Sequence, residues 1–215
     1  MRAASHLLAS AALAAALASA GCYKGTAHAI SPHQVAADSD WLAVPNVPLL
    51  RQEGRSDCGA AVLAMVLSFW SLPTTVADIN AKDPVAAQQG WKAGQLRDIA
   101  RATGLQAFLI RGGLKDLSNE LQRGRPVIVG LVQRYGDRGR GHYEVVIGID
   151  AKKKRILSLD PSAGWREDSW EGFAREWVTA EQVTLVVLPG AANPPQSPAR
   201  PAPSAQLPPR SPGAS

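Results

Sequence analysis

The hydrophobic period of this chain changes once, near Gly124, and that change limits the folds open to it. Before Gly124, Ala61, Val62, Met65, Val66 and Phe69 recur at three- and four-residue spacing over Asp57 to Trp70, which predicts a helix. Shorter helical patterns cover Thr75 to Asn80, Ala93 to Thr103 and Leu114 to Gln122, with a strand-like run at Gln106 to Ile110. After Gly124 the apolar residues fall into short β-rich runs: Val127 to Val132, Tyr143 to Ile149, Arg155 to Leu159 and Val183 to Leu188. Helices first and antiparallel strands afterwards is an α+β order, with the helices packed on a C-terminal antiparallel sheet.

The two ends do not share this patterning. Residues 1–21 read as an export signal: Arg2 supplies the positive start, and Leu7 to Ala20 is an uncharged apolar run. The run is short for a bilayer span, which needs ~20 apolar residues. Ser19-Ala20-Gly21 directly precede Cys22. Small residues before a cysteine resemble the lipobox of bacterial lipoproteins, which implies lipid on Cys22 and a membrane anchor. Leucine usually stands three residues before that cysteine, where this chain has Ser19. Ordinary cleavage after Ala20 and a simple transmembrane anchor remain open. The lipoprotein reading places the chain at the periplasmic side of an outer membrane; ordinary cleavage makes it soluble in the periplasm.

Residues 22–40 lack clear periodicity and are expected to be a tether. Residues 41–189 have the size of one domain with its own core. Residues 190–215 are rich in Pro, Ala, Ser and Gln, and nine of the chain's 16 prolines lie from Pro189 onward, so this tail is expected to be disordered. The net charge of +5 is mild, with no basic stripe interleaved with aromatics, so nucleic-acid binding is not expected. The Lys152–Lys154 run between two apolar stretches predicts a solvated hairpin turn.

Only two cysteines occur, Cys22 and Cys58. If Cys22 carries lipid, Cys58 is an unpaired thiol in an oxidising compartment, either inert and buried or a working nucleophile. Its setting favours the nucleophile. It falls in the first turn of the predicted helix, with Ser56 or Asp57 as N-cap, where partial positive charge and free N–H groups stabilise a thiolate. Gly59 follows and leaves the backbone bare for a substrate carbonyl. Gln52, six residues earlier, can offer a side-chain N–H to an oxyanion beside the sulfur, with the Cys58 N–H as second donor.

The base follows by elimination. Of four histidines, His6, His28 and His33 lie in the signal and tether, and only His142 is in the domain. It is expected to open a strand after the loop Arg134–Gly141. Asp160 ends the next strand of the predicted hairpin, where it can fix the imidazole tautomer.

Three stretches, VPLLRQEGRSDCGAAVLAMVL, GHYEVVIGID and LSLDPSAGW, together resemble the papain-like family that includes the bacteriocin-processing, double-glycine leader peptidases. Gln52, Cys58-Gly59, Gly141-His142-Tyr143 and Asp160-Pro161 match its motif over about residues 44–188. The resemblance implies a papain-like cysteine peptidase fold, Cys–His–Asp catalysis with a Gln oxyanion donor, a peptide or protein substrate, and no cofactor. No cluster of Cys and His has metal-ligand spacing, so no metal is expected. The best-known members are fused to a membrane transporter; here none follows the domain, and the leader-peptide substrate is open.

Gly59, Gly141, Tyr143 and Trp165 are candidates to line a substrate groove. Phe173 and Trp177, four residues apart on a short predicted helix, are expected to pack against the sheet. Glu144 is expected on the opposite strand face from Tyr143 and receives no catalytic role. Two other functions compete: a cell-wall endopeptidase or amidase of Cys–His type, whose motif has Ser after Asp-Cys where this chain has Gly59, and a tethered binding module without turnover.

Overall fold

The computed structural model describes residues 23–190. The expected signal, Cys22 and the tail from residue 191 lie outside the described residues. Along the chain come β1 (His28–Ala29), α1 (Pro32–Ala37), β2 (Leu42–Ala43), α2 (Cys58–Phe69), α3 (Val76–Asn80), α4 (Pro84–Gln89), α5 (Ala93–Ala102) and β3 (Gln106–Arg111). Then follow α6 (Leu114–Gln122), β4 (Val127–Tyr135), β5 (Arg138–Asp150), β6 (Arg155–Asp160), β7 (Gly164–Ser169), α7 (Trp170–Thr179) and β8 (Val183–Leu188). The expected α+β architecture is the one observed.

The sheet runs β1-β7-β6-β5-β4-β8-β3, every pair antiparallel. β2 pairs with the far end of β5, beyond the residues that β4 reaches. Helix α2 packs on β5, and its residues Cys58 to Leu67 are all buried. A helix covered on every side lacks a polar stripe, which explains its continuous apolar sequence. Leu63, Met65 and Leu67 are fully buried. Each such side chain stabilises by roughly 1.5–3 kcal/mol, and Leu63→Ala would cost about 2–5 kcal/mol.

The start of α2 differs from expectation in its capping. Asp57 sits at the N-cap but makes no side-chain cap bond. Its Oδ2 accepts from the Gly54 N–H at 2.6 Å and its Oδ1 from Asn80 Nδ2 at 3.0 Å. Asn80 Oδ1 in turn accepts from Trp91 Nε1 at 3.1 Å. The carboxylate braces the loop ahead of the helix and leaves the first-turn N–H groups uncapped.

The loop expected at Arg134–Gly141 is mostly strand. β4 and β5 close at Tyr135 opposite Arg138, so only Gly136 and Asp137 turn, with Gly136 at φ 59°. His142 is therefore inside β5, opposite Leu131, rather than at a strand start. A hairpin closed by two residues, one of them a left-handed glycine, lets pairing extend through a polar stretch that hydrophobic period cannot register.

The segment expected to be a tether is folded against the domain from Tyr23 onward. β1 pairs with β7, Lys24 N–H donates to the Arg134 carbonyl at 2.9 Å, and Ser31 caps α1. Asp38 and Asp40 bind Lys153 and Lys152 of the hairpin turn, and Asp38 also binds Arg155 at 2.7 Å. These contacts are polar and backbone-mediated, so apolar periodicity could not reveal them. Strand β7 was likewise outside the sequence expectations. Its inward positions Arg166 and Asp168 are charged, inverting the usual alternation. Helix α4 begins at Asp83-Pro84, an N-cap followed by proline at the first helical position.

Candidate active site

Cys58 is the first residue of α2, 9% exposed, and lines an open cleft of about 430 Å³. The same cleft is lined by Arg55, Trp91, Gly130, Gly141, His142 and Tyr143. Burial pushes the thiol pKa up. The hydrogen bond and charge of His142, with the N–H groups of Tyr143 and Gly59, outweigh burial and lower it. The N-terminal end of α2 acts in the same direction.

His142 is 3% exposed. Its Nε2 lies 2.9 Å from Asp160 Oδ1, and its Nδ1 is buried with no bond of full hydrogen-bond geometry. Nδ1 is the nitrogen left for Cys58, and the thiol–imidazole contact is looser than the imidazole–carboxylate bond. Such contacts tighten when substrate binds. Burial lowers the imidazole pKa, but Asp160 and Cys58 as hydrogen-bond partners, with the charges of Asp160 and Glu144, raise it to about 10.

Asp160 ends β6, one strand over from His142, as the hairpin expectation required. Burial pushes its pKa up, but His142, Arg166 and Ser162 hold it well below the usual carboxylate range. Oδ1 also accepts from the N–H and hydroxyl of Ser162 and the N–H of Ala163. This Asx-type turn, stiffened by Pro161, anchors Oδ1.

Behind the imidazole lies a buried polar group that the sequence reading missed. Glu144 projects from the same face of β5 as His142 and is 3% exposed. Its oxygens accept from Gln133 Nε2 at 3.0 Å and from Ser158 Oγ. Burial and Asp160 raise its pKa, opposed by Arg166 and His142. Arg166 donates through Nη1 to Asp160 Oδ2 at 2.9 Å and lies 3.7 Å from Glu144. Ligand atoms of His142, Glu144 and Asp160 fall within 4.8 Å of one another. Yet the Arg166 guanidinium already supplies the cation there, and Gln133 and Ser158 already engage Glu144. The donor set fits an internal ion pair better than a metal.

The other site expectations divide. Gly141 lines the cleft, and a Cβ there would meet nothing within 4 Å. Tyr143 also lines it; burial and the Cys58 charge push its phenol up to about 12, so it stays neutral. Gly59 serves packing rather than substrate approach, because a Cβ would stand 2.7 Å from Trp91 Cβ. Trp165 is not among the cleft-lining residues; it is half-buried on β7 and its carbonyl accepts from Ile30 N–H at 3.1 Å. Phe173 and Trp177 are buried on α7 with ring centroids 5.2 Å apart.

Gln52 sits beside the Asp160–Pro161 turn, its N–H donating to the Pro161 carbonyl at 3.1 Å. Its Nε2 donates to the Gly54 carbonyl at 2.9 Å, and Oε1 is buried without a partner. It is not among the residues lining the cleft around Cys58.

A cysteine at the uncapped start of a buried helix, packed on an antiparallel sheet that carries a buried His–Asp pair, defines a papain-like cysteine peptidase. The chain belongs to the Peptidase C39 family, whose model matches residues 46–191. Among solved structures it is similar to the peptidase domain of Streptococcus ComA, a bifunctional ABC transporter involved in quorum sensing. That match has 24% identity and a TM-score of 0.55, covering 67% of this chain and 99% of the other. A double-glycine motif protease from an AMS/PCAT transporter, in complex with its leader peptide, matches at 23% identity and a TM-score of 0.54, covering 68% and 94%. A C39-like peptidase from Bacillus anthracis matches at 16% identity and a TM-score of 0.55, covering 69% and 97%. A search of curated proteins gave no match.

Proposed function

We propose that this cysteine peptidase cleaves peptide bonds by acyl transfer through Cys58, His142 and Asp160, outside the cytoplasm and tethered by lipid on Cys22. The 2.9 Å bond from His142 to Asp160, in a cleft shared with Cys58, carries the catalytic reading. His142 Nδ1 takes the thiol proton and the thiolate attacks the scissile carbonyl. The Cys58 N–H and the Gln52 amide donate to the oxyanion. Nε2 of the Gln52 side chain gives one hydrogen to Gly54 and has a second to give. Since Gln52 does not line the cleft in this structure, that task requires its side chain to turn toward Cys58 when substrate binds. His142 then protonates the leaving amine, and water, deprotonated by the imidazole, releases the acyl group from sulfur. Asp160 holds the imidazolium throughout.

Export and lipidation rest on Arg2, the apolar run Leu7 to Ala20 and Ser19-Ala20-Gly21-Cys22. No helix among the described residues is long and apolar enough to cross a membrane. Peptides are the substrate class. A leader ending in double glycine is the first to try, since one similar structure holds a leader peptide.

The test is incubation of the full chain with a defined peptide library and a double-glycine leader, with Cys58→Ala alongside. Cleavage that disappears in Cys58→Ala supports the reading. No cleavage of any peptide, with release of fragments from purified peptidoglycan, would favour the cell-wall enzyme. No turnover of either favours the binding module. The mass of the mature N-terminus, with and without Cys22→Ser, tests lipidation.

A further inference from the structure

We propose that Arg166 is a positioning residue for the peptidase reaction, orienting Asp160 behind His142, and that the segment Tyr23–Ala29 is a strap that sets the pose of Arg166. The inference rests on the Cys58–His142–Asp160 reading above.

Asp160 Oδ1 is crowded, shared by His142, Ser162 and Ala163, whereas Arg166 Nη1 at 2.9 Å is the single partner of Oδ2 among the described residues. Without that bond the carboxylate is held through Oδ1 alone and can rock about its Cβ–Cγ bond. Its plane, and with it the lone pair that Oδ1 turns toward Nε2, is then no longer set at both oxygens. Arg166 is 6% exposed and is the buried cation facing a set of acids, Asp160 and Glu144 from β6 and β5, Asp168 from its own strand and Glu176 from α7, with Arg175 also acting on Asp168. Its charge and its planar fork both matter, because a fork fixes direction where a point charge does not.

Two contacts from the N-terminal segment hold the fork, and a third holds the Arg166 backbone. Nη2 donates to the Ala27 carbonyl at 3.2 Å. The guanidinium lies over the Tyr23 ring, 4.8 Å from its centroid. Ala29 pairs with Arg166 in the β1–β7 ladder. Tyr23 is itself fixed: its hydroxyl donates to Glu176 at 2.8 Å and its ring lies 5.6 Å from that of Tyr135. Two glycines make the close fit possible. A Cβ on Gly25 would stand 2.0 Å from the Tyr23 oxygen, and one on Gly172 would stand 1.5 Å from Thr26 Oγ1. A strap that leaves no room for a methyl group at either point is a built feature rather than a trailing end. Its first residue directly follows Cys22, so both cleavage after Ala20 and lipidation at Cys22 leave it whole.

The test measures the pH dependence of Cys58 alkylation by iodoacetamide in the full chain, read by mass spectrometry on the tryptic peptide that begins at Ser56. Proteins compared are wild type, Arg166→Met, Arg166→Lys, Tyr23→Leu and His142→Ala. The proposal expects the Arg166→Met midpoint to move toward the His142→Ala value. It also expects the alkylation rate at pH 7 to fall about tenfold, the equivalent of one pKa unit. Arg166→Lys should recover part of the loss, and Tyr23→Leu should shift the midpoint in the same direction by less. Residual folding is monitored by near-ultraviolet circular dichroism. A wild-type midpoint in folded Arg166→Met overturns the positioning role, whatever has happened to its melting temperature. If Arg166→Met does not fold, a wild-type midpoint in Arg166→Lys overturns the need for the fork and one in Tyr23→Leu overturns the strap. If wild type and His142→Ala behave alike, the Cys–His pair itself is wrong, which is a separate failure.

Discussion

His142 Nε2 and Asp160 Oδ1 lie 2.9 Å apart between neighbouring strands, with side chains 2% and 1% exposed. A buried bond of this kind fixes one imidazole tautomer and leaves the other nitrogen for the thiol. Asp160→Asn keeps the shape and removes the charge. We expect kcat to fall about a thousandfold or more with KM little changed, measured on any peptide the wild type cleaves.

The same pair sets the pH profile. The imidazolium pKa is raised to about 10, so the cation is present below that pH and lost above it. The thiol pKa is lowered, so the thiolate is present above it and lost below it. Activity should therefore be bell-shaped, with an alkaline limb near pH 10. Stability follows the same groups. The contribution of His142 is full below its ordinary 6.5 and fades as pH rises through about 10. That of Asp160 is full above its ordinary 3.8 and fades as pH falls toward its depressed folded value. Urea unfolding midpoints across pH should show both slopes, and Asp160→Asn should flatten the acid one.

Gly59→Ala tests whether Gly59 serves packing. The new methyl would meet Trp91 Cβ at 2.7 Å, a backbone-fixed atom, so Trp91 or the first turn of α2 must shift. We expect a loss of about 1–3 kcal/mol in denaturant unfolding. Trp91→Gly in the same chain should reduce the penalty, since it removes the obstructing Cβ.

Deleting residues 23–40 tests whether the N-terminal segment belongs to the fold. A tether would come away without effect. Here the deletion strips Arg155 of Asp38, uncovers Arg166 and frees the β7 edge. We expect a melting temperature lower by several degrees and a marked loss of activity, with hydrogen exchange rising along β7.

Much of this was legible in the sequence. Helix α2 and strands β3, β4, β5, β6 and β8 announce themselves by apolar period, and the order Gln52, Cys58, His142, Asp160 carries the family resemblance. What stayed hidden is polar. Arg166 and Asp168 face inward from β7, where a reading keyed to apolar residues expects solvent. The signal was present as a run of three charged residues, Arg166, Glu167 and Asp168, shortly after the Asp160–Pro161 turn. Tyr23 gives no local sign of its place, because its partners Arg166 and Glu176 are more than 140 residues away. The role of Gly59 depends on Trp91, a contact between elements that no window of sequence contains.

The central claim is that Cys58 and His142 form a reactive pair. The most direct measurement is the pH dependence of Cys58 alkylation by iodoacetamide in the full chain, with His142→Ala alongside. Residues 23–40 are kept, since they complete the fold. The account predicts a thiolate titrating below the ~8.5 of an ordinary thiol, with the shift lost in His142→Ala. A slow thiol with an ordinary midpoint, indifferent to His142, would contradict it.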